Sequence, residues 1–415
     1  MTAAAAASVG MFIGTTPMVS ATASLFIEPI TSDFGISRTT YSAIMLVPPW
    51  IVALLLPFSG RAMDRWGVRA VALPVVLAFG LCQFAMWGVH ALWQLLLLFG
   101  IIGACGSVHT YTAYTKVVSM WFDRYRGIVI GCMIAAGSSL GAAIVPQFVR
   151  IWIRDDGWRM GYVGMGCIIL LYGLPIMYFF LREPQRKQAE SELHGSADTA
   201  AATAVAPATV DEHAHHHVGL TWKEALRTRT LWTIVIALTL SPMAIVGTIA
   251  HSFPMLTERG FSPQNAANAI SAVYIGGMIG QLSSGFLLDR FNSPKIALPF
   301  FLIAMAGVGV IHTTTSTALL IPGAMMLGLG QGSEFGIGAY LVSRFFGLKN
   351  YGAIFSIIMA GANVGVGLGL LSMGIVHDDY GNYGPMRYVL LCAMTGVMLL
   401  LASLGRYRYE RVAAH

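Results

Sequence analysis

Charge is what this chain has least of. Asp, Glu, Lys and Arg make up 11% of its 415 residues, against 56% hydrophobic residues and a mean hydropathy of +0.68. So few charges cannot cover a water-facing surface, which excludes a soluble globular protein. Cysteine is also sparse: Cys82, Cys105, Cys132, Cys167 and Cys392 lie in apolar stretches, without Cys-x-x-Cys or Cys/His spacing. That argues against a disulfide framework or zinc module and predicts small buried residues. No Gly-x-x-x-x-Gly-Lys-Ser/Thr loop and no His-Glu-x-x-His occurs. ATP-driven pumping and zinc-peptidase chemistry are therefore not expected, and neither is any enzyme activity, cofactor or metal.

Long apolar runs are what the chain has in abundance. A bilayer core of roughly 30 Å takes about 20 residues of helix. Twelve stretches qualify, near 8–30, 41–59, 70–90, 92–118, 128–150, 160–181, 231–252, 266–288, 296–313, 318–343, 352–376 and 386–405. Pro48, Pro49 and Pro57 do not exclude helix in lipid, because neighbours satisfy the freed backbone groups, but they predict kinks in the second span. Gly60-x-x-x-Asp64-Arg65 recurs as Gly285-x-x-x-Asp289-Arg290, an offset of 225, each copy closing an apolar run. Ala136, Gly137, Leu140 and Gly141 recur as Ala360, Gly361, Val364 and Gly365 at an offset of 224. The expected fold is all-α, with twelve transmembrane helices in two pseudo-symmetric six-helix bundles, 1–182 and 230–415, joined by a cytoplasmic linker at 183–229.

Basic residues in short loops set the orientation. With both termini in the cytoplasm, 18 of the 25 Lys and Arg fall inside, six fall outside, and Lys116 lies within the fourth span. The expectation is a multi-pass protein of the inner (plasma) membrane. Topology accounts for the net charge of +6, so no nucleic-acid partner is needed. Met1 to Ser8 lack a basic leader and cleavage site, so they read as an inside-facing lead into the first helix. The linker is rich in Ala, Thr, Glu and His, and its His213, His215, His216 and His217 have no rigid framework for a metal. Trp222 to Arg229 reads as a short surface helix whose basic residues lie near headgroups.

The segment Gly60-Arg61-Ala62-Met63-Asp64-Arg65-Trp66-Gly67-Val68-Arg69 resembles the loop motif of the major facilitator superfamily, and Gly285 to Arg290 its weaker second copy. Phe26-Ile27-Glu28-Pro29, Phe34 to Arg38, Trp121 to Gly127, Gly157-Trp158-Arg159 and Tyr340 to Gly347 resemble the monocarboxylate and oxalate:formate exchanger branch. The resemblance implies a substrate site near the midplane, lined by helices 1, 4, 7 and 10 and flanked by 2, 5, 8 and 11. It also implies that Asp64, Arg65, Arg69, Asp289 and Arg290 gate one membrane face without touching substrate. The anion clamps of that branch are absent. Gln281 stands where related carriers place Arg, and Ile358 where the oxalate exchanger places Lys, which argues against a dianion.

Polar residues gather on the spans so implicated: Thr15, Thr16, Ser20 and Thr22 on the first, and His109, Thr110, Tyr111, Thr112 and Lys116 on the fourth. Glu334 lies ten residues before Arg344, about 15 Å deep at 1.5 Å per residue. An ionised carboxylate there costs at least roughly 2.5–3.5 kcal/mol, so Glu334 reads as a reversible proton carrier or as a paired structural group. His109 and Lys116, seven apart, share a helix face. His109 can take a proton or hold a carboxylate, and Lys116 either attracts an anion or reaches to the interface. His251, Gln281, Tyr340 and Asn363 complete the substrate-binding set. The 224 offset places Thr110 opposite Glu334 and Lys116 opposite Tyr340, so ionisable groups within the bilayer do not repeat. Gly137 to Gly141 and Gly361 to Gly365 are expected to give the smooth contacts on which the halves rock.

The reading is a monomeric secondary transporter whose partners are a small organic monocarboxylate, protons and the lipid bilayer. The acid is of aromatic type and moves by proton symport with alternating access. Proton-driven efflux of a neutral or amphipathic compound, and a transporter-like receptor without flux, stay open as alternatives.

Overall fold

The computed structural model describes residues 2–109, 114, 117, 133–181, 219–291, 293–347, 349–407 and 409. Tyr111, Lys116, the 121–127 motif and the linker histidines lie outside the described residues, as do the side chains of Asp64 and Asp289.

Helix stands at all twelve apolar stretches, and the described residues contain no strand. The first span comprises α1 (Thr2–Phe12), a π turn (Thr16–Ser20) and α2 (Ala23–Phe34); the second comprises α3 (Arg38–Met45) and α4 (Val47–Trp66). The third is α5 (Val68–Ala85), the fourth begins as α6 (Leu92–Gly106), and the fifth is α7 (Leu140–Asp156) behind a π turn (Ala135–Ser139). The sixth runs from α8 (Trp158–Cys167) into α9 (Leu174–Phe180). A short α10 (Trp222–Leu226), closed by a reciprocal Thr221–Glu224 cap, precedes the second set. That set is α11 (Arg229–Ala250) with α12 (Ser252–Glu258), then α13 (Pro263–Arg290), α14 (Ala297–Thr313), α15 (Thr317–Phe346), α16 (Tyr351–Tyr380) and α17 (Met386–Ala402).

Proline shapes the spans that matter most. The second span breaks at Leu46, just before Pro48 and Pro49, as the sequence predicts. The first bends by 46° between Ser20 and Ala23, which the sequence reading did not foresee. Pro17 has no N–H to give, and the backbone compensates with a wider turn closed by Ala21 N–H on Thr16 O at 2.9 Å. At Gly67 the loop motif turns with φ 87°, a conformation that favours glycine, and its N–H still reaches Met63 O at 3.0 Å.

Two apolar cores result. One collects buried side chains from Ala6 to Leu181 together with Ile270 and Tyr274; the other collects them from Ala225 to Leu404. Cys82 and Cys105 are buried as expected, but Cys392 is exposed on the outer surface of α17. The glycine pairs need correction too. A Cβ on Gly137 would strike Ser8 O and sit 2.8 Å from Met11; one on Gly361 would sit 3.0 Å from Val235, and one on Gly365 would strike Thr239 O. Met11 and Val235 are themselves 224 apart, so the repeat is a repeated helix contact. That contact lies inside each half and not between halves. The small residues pack α1 against the fifth span and α11 against α16. Residues 137–141 also spell Gly-x-Ser-x-Gly, but they continue from a π turn into α7, not from a strand into a helix as a hydrolase elbow requires.

Gly365→Leu should therefore unfold rather than retune the protein. Forcing α11 from α16 costs about 3 kcal/mol of overpacking, which a thermal-unfolding scan in detergent should register as a markedly lower midpoint.

Candidate functional site

Because α2 ends where α3 begins and α17 begins just past α16, both described termini lie at one membrane face, the near end. The loops around residues 35, 259 and 381 lie at the other, the far end. Hydrogen bonds and an ion pair join the halves toward the far end.

Two seams carry them. On one, α3 of the first half meets α16 and α12 of the second. Asp378 accepts from the backbone N–H of Arg38 at 3.2 Å and of Thr39 at 2.8 Å, capping the N-terminus of α3 from across the interface. The Arg38 guanidinium pairs with Glu258 and donates to Tyr383 Oη at 2.6 Å. His377 Nε2 lies 3.2 Å from the same Glu258 oxygen. Gly374 permits the approach: a Cβ there would stand 2.9 Å from Ser42 Oγ and 3.0 Å from Arg38 O. On the other seam, α7 meets α13 through neutral amides. Gln147 Nε2 donates to Ser271 Oγ at 2.8 Å and to Asn268 Oδ1 at 3.3 Å, Gln264 Nε2 donates to Gln147 Oε1 at 3.1 Å, and Arg150 reaches Gln264.

Beneath the charged latch, Leu46, Ala250 and Leu370 form a small apolar plug, each at most 8% exposed. Below the plug lies a cavity of about 220 Å³ between the halves. Its walls come from the bent first span (Thr15, Val19, Ser20), the broken second (Met45, Pro48, Pro49, Val52), α6, α11 and α16. The polar groups are Thr15, Ser20 and Asn363, and none of its lining residues is charged. One N–H of Asn363 is taken by Met359 O at 2.9 Å, leaving the amide oxygen for a ligand.

The other sequence candidates are dispersed. His251 is 1% exposed and part of the latch, Nδ1 lying 3.1 Å from Tyr383 Oη and Nε2 3.2 Å from Leu370 O and 3.3 Å from Ser42 Oγ. His109 is buried in the first half against Phe79, with Nδ1 2.8 Å from Tyr114 Oη and Nε2 without a partner. Glu334 lies midway along α15 beside Ser241 of α11, its Oε1 buried with no hydrogen bond in good geometry. Tyr340 packs near the near end with Tyr407 and Arg344, ring centroids 5.9 Å apart. Neither it nor Gln281 lines the cavity, and Ile358 is fully buried in the second core. Of the gating set, Arg69 donates to Tyr178 O at 2.8 Å and Arg65 stacks 5.7 Å from Trp66, while Arg290 is exposed at the end of α13.

The sequence reading missed the latch. Arg38 enters the sequence-based expectations in the Phe34 to Arg38 motif and as an outward-facing cation, while Glu258, His377, Asp378 and Tyr383 do not enter them. The available signal was a pair of acid-bearing segments, Glu258 shortly after His251 and His377 with Asp378 and Asp379, expected at the same membrane face as Arg38. Gly157-Trp158-Arg159 also proves to be a staple within the first half: Arg159 pairs with Asp33 at 3.0 Å, and Trp158 Nε1 donates to it at 3.1 Å.

Comparison with known proteins agrees with this architecture. The family model described as Major Facilitator Superfamily matches residues 3–369 and again 252–414. The chain is 25% identical to a gallate transporter of Pseudomonas putida, covering 83% of this chain and 82% of that protein. It is 22% identical to the 4-hydroxybenzoate transporter PcaK of Pseudomonas aeruginosa, covering 82% of each. Among solved structures it resembles a D-xylose-proton symporter with a TM-score of 0.71 at 13% identity, over 97% of both chains. At that identity the likeness concerns the fold alone.

Proposed function

Since the chain belongs to the major facilitator superfamily, we propose that it carries a small aromatic monocarboxylate across the inner membrane together with a proton, by alternating access. The observation that carries this reading is the cavity between the halves, closed at the far end by the plug and latch. Its apolar walls suit a flat ring, and Thr15, Ser20 and Asn363 offer neutral hydrogen bonds to a carboxyl or phenol. The gallate and 4-hydroxybenzoate relatives support that substrate class. With both termini in the cytoplasm, the far end is the outside and the state described is closed to it.

In this reading Glu334 carries the proton. His109 serves as a further proton or carboxylate partner, with Tyr111, Lys116, Gln281, Tyr340 and His251 joining the substrate path as the halves move. Asp64, Arg65, Arg69, Asp289 and Arg290 hold the cytoplasmic gate in the opposite state.

The uncharged lining also favours a second reading, proton-driven efflux of a neutral or amphipathic compound. Counterflow in proteoliposomes separates the two. Vesicles loaded with unlabelled 4-hydroxybenzoate should show a transient overshoot of labelled acid, and Asn363→Ala should weaken half-saturation roughly fivefold, the worth of about 1 kcal/mol of hydrogen bond. Absence of an overshoot with any aromatic acid, alongside proton flux driven by a neutral compound, would establish the efflux reading instead.

A further inference from the structure

The far-end latch holds a titratable ring to which the proposed transport cycle gives no role. His377 Nε2 lies 3.2 Å from Glu258 Oε1, and Nδ1 lies 3.9 Å from Asp378 Oδ1. Nδ1 is buried and has no hydrogen-bond partner. Glu258 Oε1 is also the oxygen that pairs with Arg38. A single carboxylate oxygen is thus shared between a permanent cation of the first half and a titratable ring of the second. We propose that His377 is a proton-binding group of the latch, and that its protonation releases Arg38 and opens the far end.

The sign follows from which groups travel together. Glu258, Asp378, Tyr383, His251 and His377 all belong to the second half and stay beside one another when the halves rock as rigid bodies. Closure adds the Arg38 guanidinium from α3 and strips water from the cluster. Both changes oppose a second cation next to Glu258. By linkage, a proton on His377 must then favour the arrangement from which Arg38 has withdrawn. The chemistry agrees. A protonated imidazole has two N–H donors, one within hydrogen-bond distance of Glu258 and one 3.9 Å from Asp378, the two carboxylates that hold α3. Given that cation in their own half, Glu258 no longer needs the Arg38 guanidinium and Asp378 no longer needs the N–H groups of α3.

His251 does not duplicate this role. Leu370 O can only accept, so the Nε2 facing it carries the proton, and Nδ1 accepts from Tyr383 Oη. The neutral ring is fully bonded, whereas His377 has a nitrogen to spare. The inference stands apart from whether Glu334 carries protons, since it concerns access to the cavity and not coupling within it.

Double electron–electron resonance on the full chain in nanodiscs tests this, with the native cysteines replaced and spin labels at Ser32→Cys and Asn382→Cys. Lowering the pH should lengthen the label separation. His377→Gln should stay short throughout, Glu258→Gln should also lose its acid response, and Arg38→Gln should be long at every pH. Glu334→Gln should respond as the parent does. A full acid response retained by His377→Gln, or its loss in Glu334→Gln instead, would overturn the proposal, as would a short distance in Arg38→Gln.

Discussion

Glu334→Gln should abolish uphill accumulation of substrate while leaving exchange intact. A gradient of one pH unit is worth about 1.4 kcal/mol per proton, enough for roughly tenfold accumulation at one proton per substrate. Glutamine keeps the shape and the hydrogen-bonding capacity beside Ser241 but has no proton to exchange. The variant should equilibrate its substrate at about onefold under the same gradient, because nothing couples the two fluxes. Counterflow needs no net proton movement, so its rate should stay close to that of the parent protein. Paired uptake and counterflow measurements on one preparation distinguish this from misfolding, which would depress both. Accumulation that survives in Glu334→Gln would require another proton carrier, and His109, buried in the first half with a free Nε2, would be the next to replace.

Gly374→Leu should trap the far end open. The glycine faces Ser42, Arg38 and Thr39 across the seam, at distances that leave no room for a side chain. Overpacking costs about 1–3 kcal/mol. Here separation of the halves can relieve that cost, so it appears as a shift of roughly 5- to 150-fold toward the open state. Transport should fall accordingly, because a carrier that cannot close one face cannot expose its site at the other. Thermal stability should change little, in contrast to Gly365→Leu, whose clash with Thr239 lies within the second half and has no rocking motion to relieve it. Cysteine labelling at the plug, for example Ala250→Cys, should become fast in the Gly374→Leu background. Slow labelling there would mean that the seam tolerates the side chain and that this glycine does not set the gate.

Several parts of the fold were legible because they depend on residues near one another in the chain. Apolar runs of about 20 residues meet a requirement of the bilayer itself, so helix stands at all twelve stretches. The 224 offset carried structural meaning, since Gly137 meets Met11 and Gly361 meets Val235. The assignment of those glycines to motion failed because spacing identifies a close contact without identifying the partner. Only the packing shows that α11 and α16 belong to one half. The candidate site was legible in part: Thr15, Ser20 and Asn363 line the cavity, while His251 sits in the latch and Tyr340 near the end bearing both termini. Polarity within an apolar run marks a residue that must find a partner, and a partner can be a cavity, a gate or a neighbouring helix.

Composition, run length and the doubled Gly-x-x-x-Asp-Arg determined by themselves that this is a helical membrane protein with a repeated design, since each rests on solvent physics or on repetition along the chain. Which end is closed was decided by the tertiary structure alone. Arg38 meets Glu258, Asp378 and Tyr383 over 220 residues or more along the chain, and no local pattern encodes a contact at that separation. The cavity has the same origin. Its lining comes from two spans bent at proline and from helices of both halves, so it exists only where rigid units, each fully packed within, meet imperfectly.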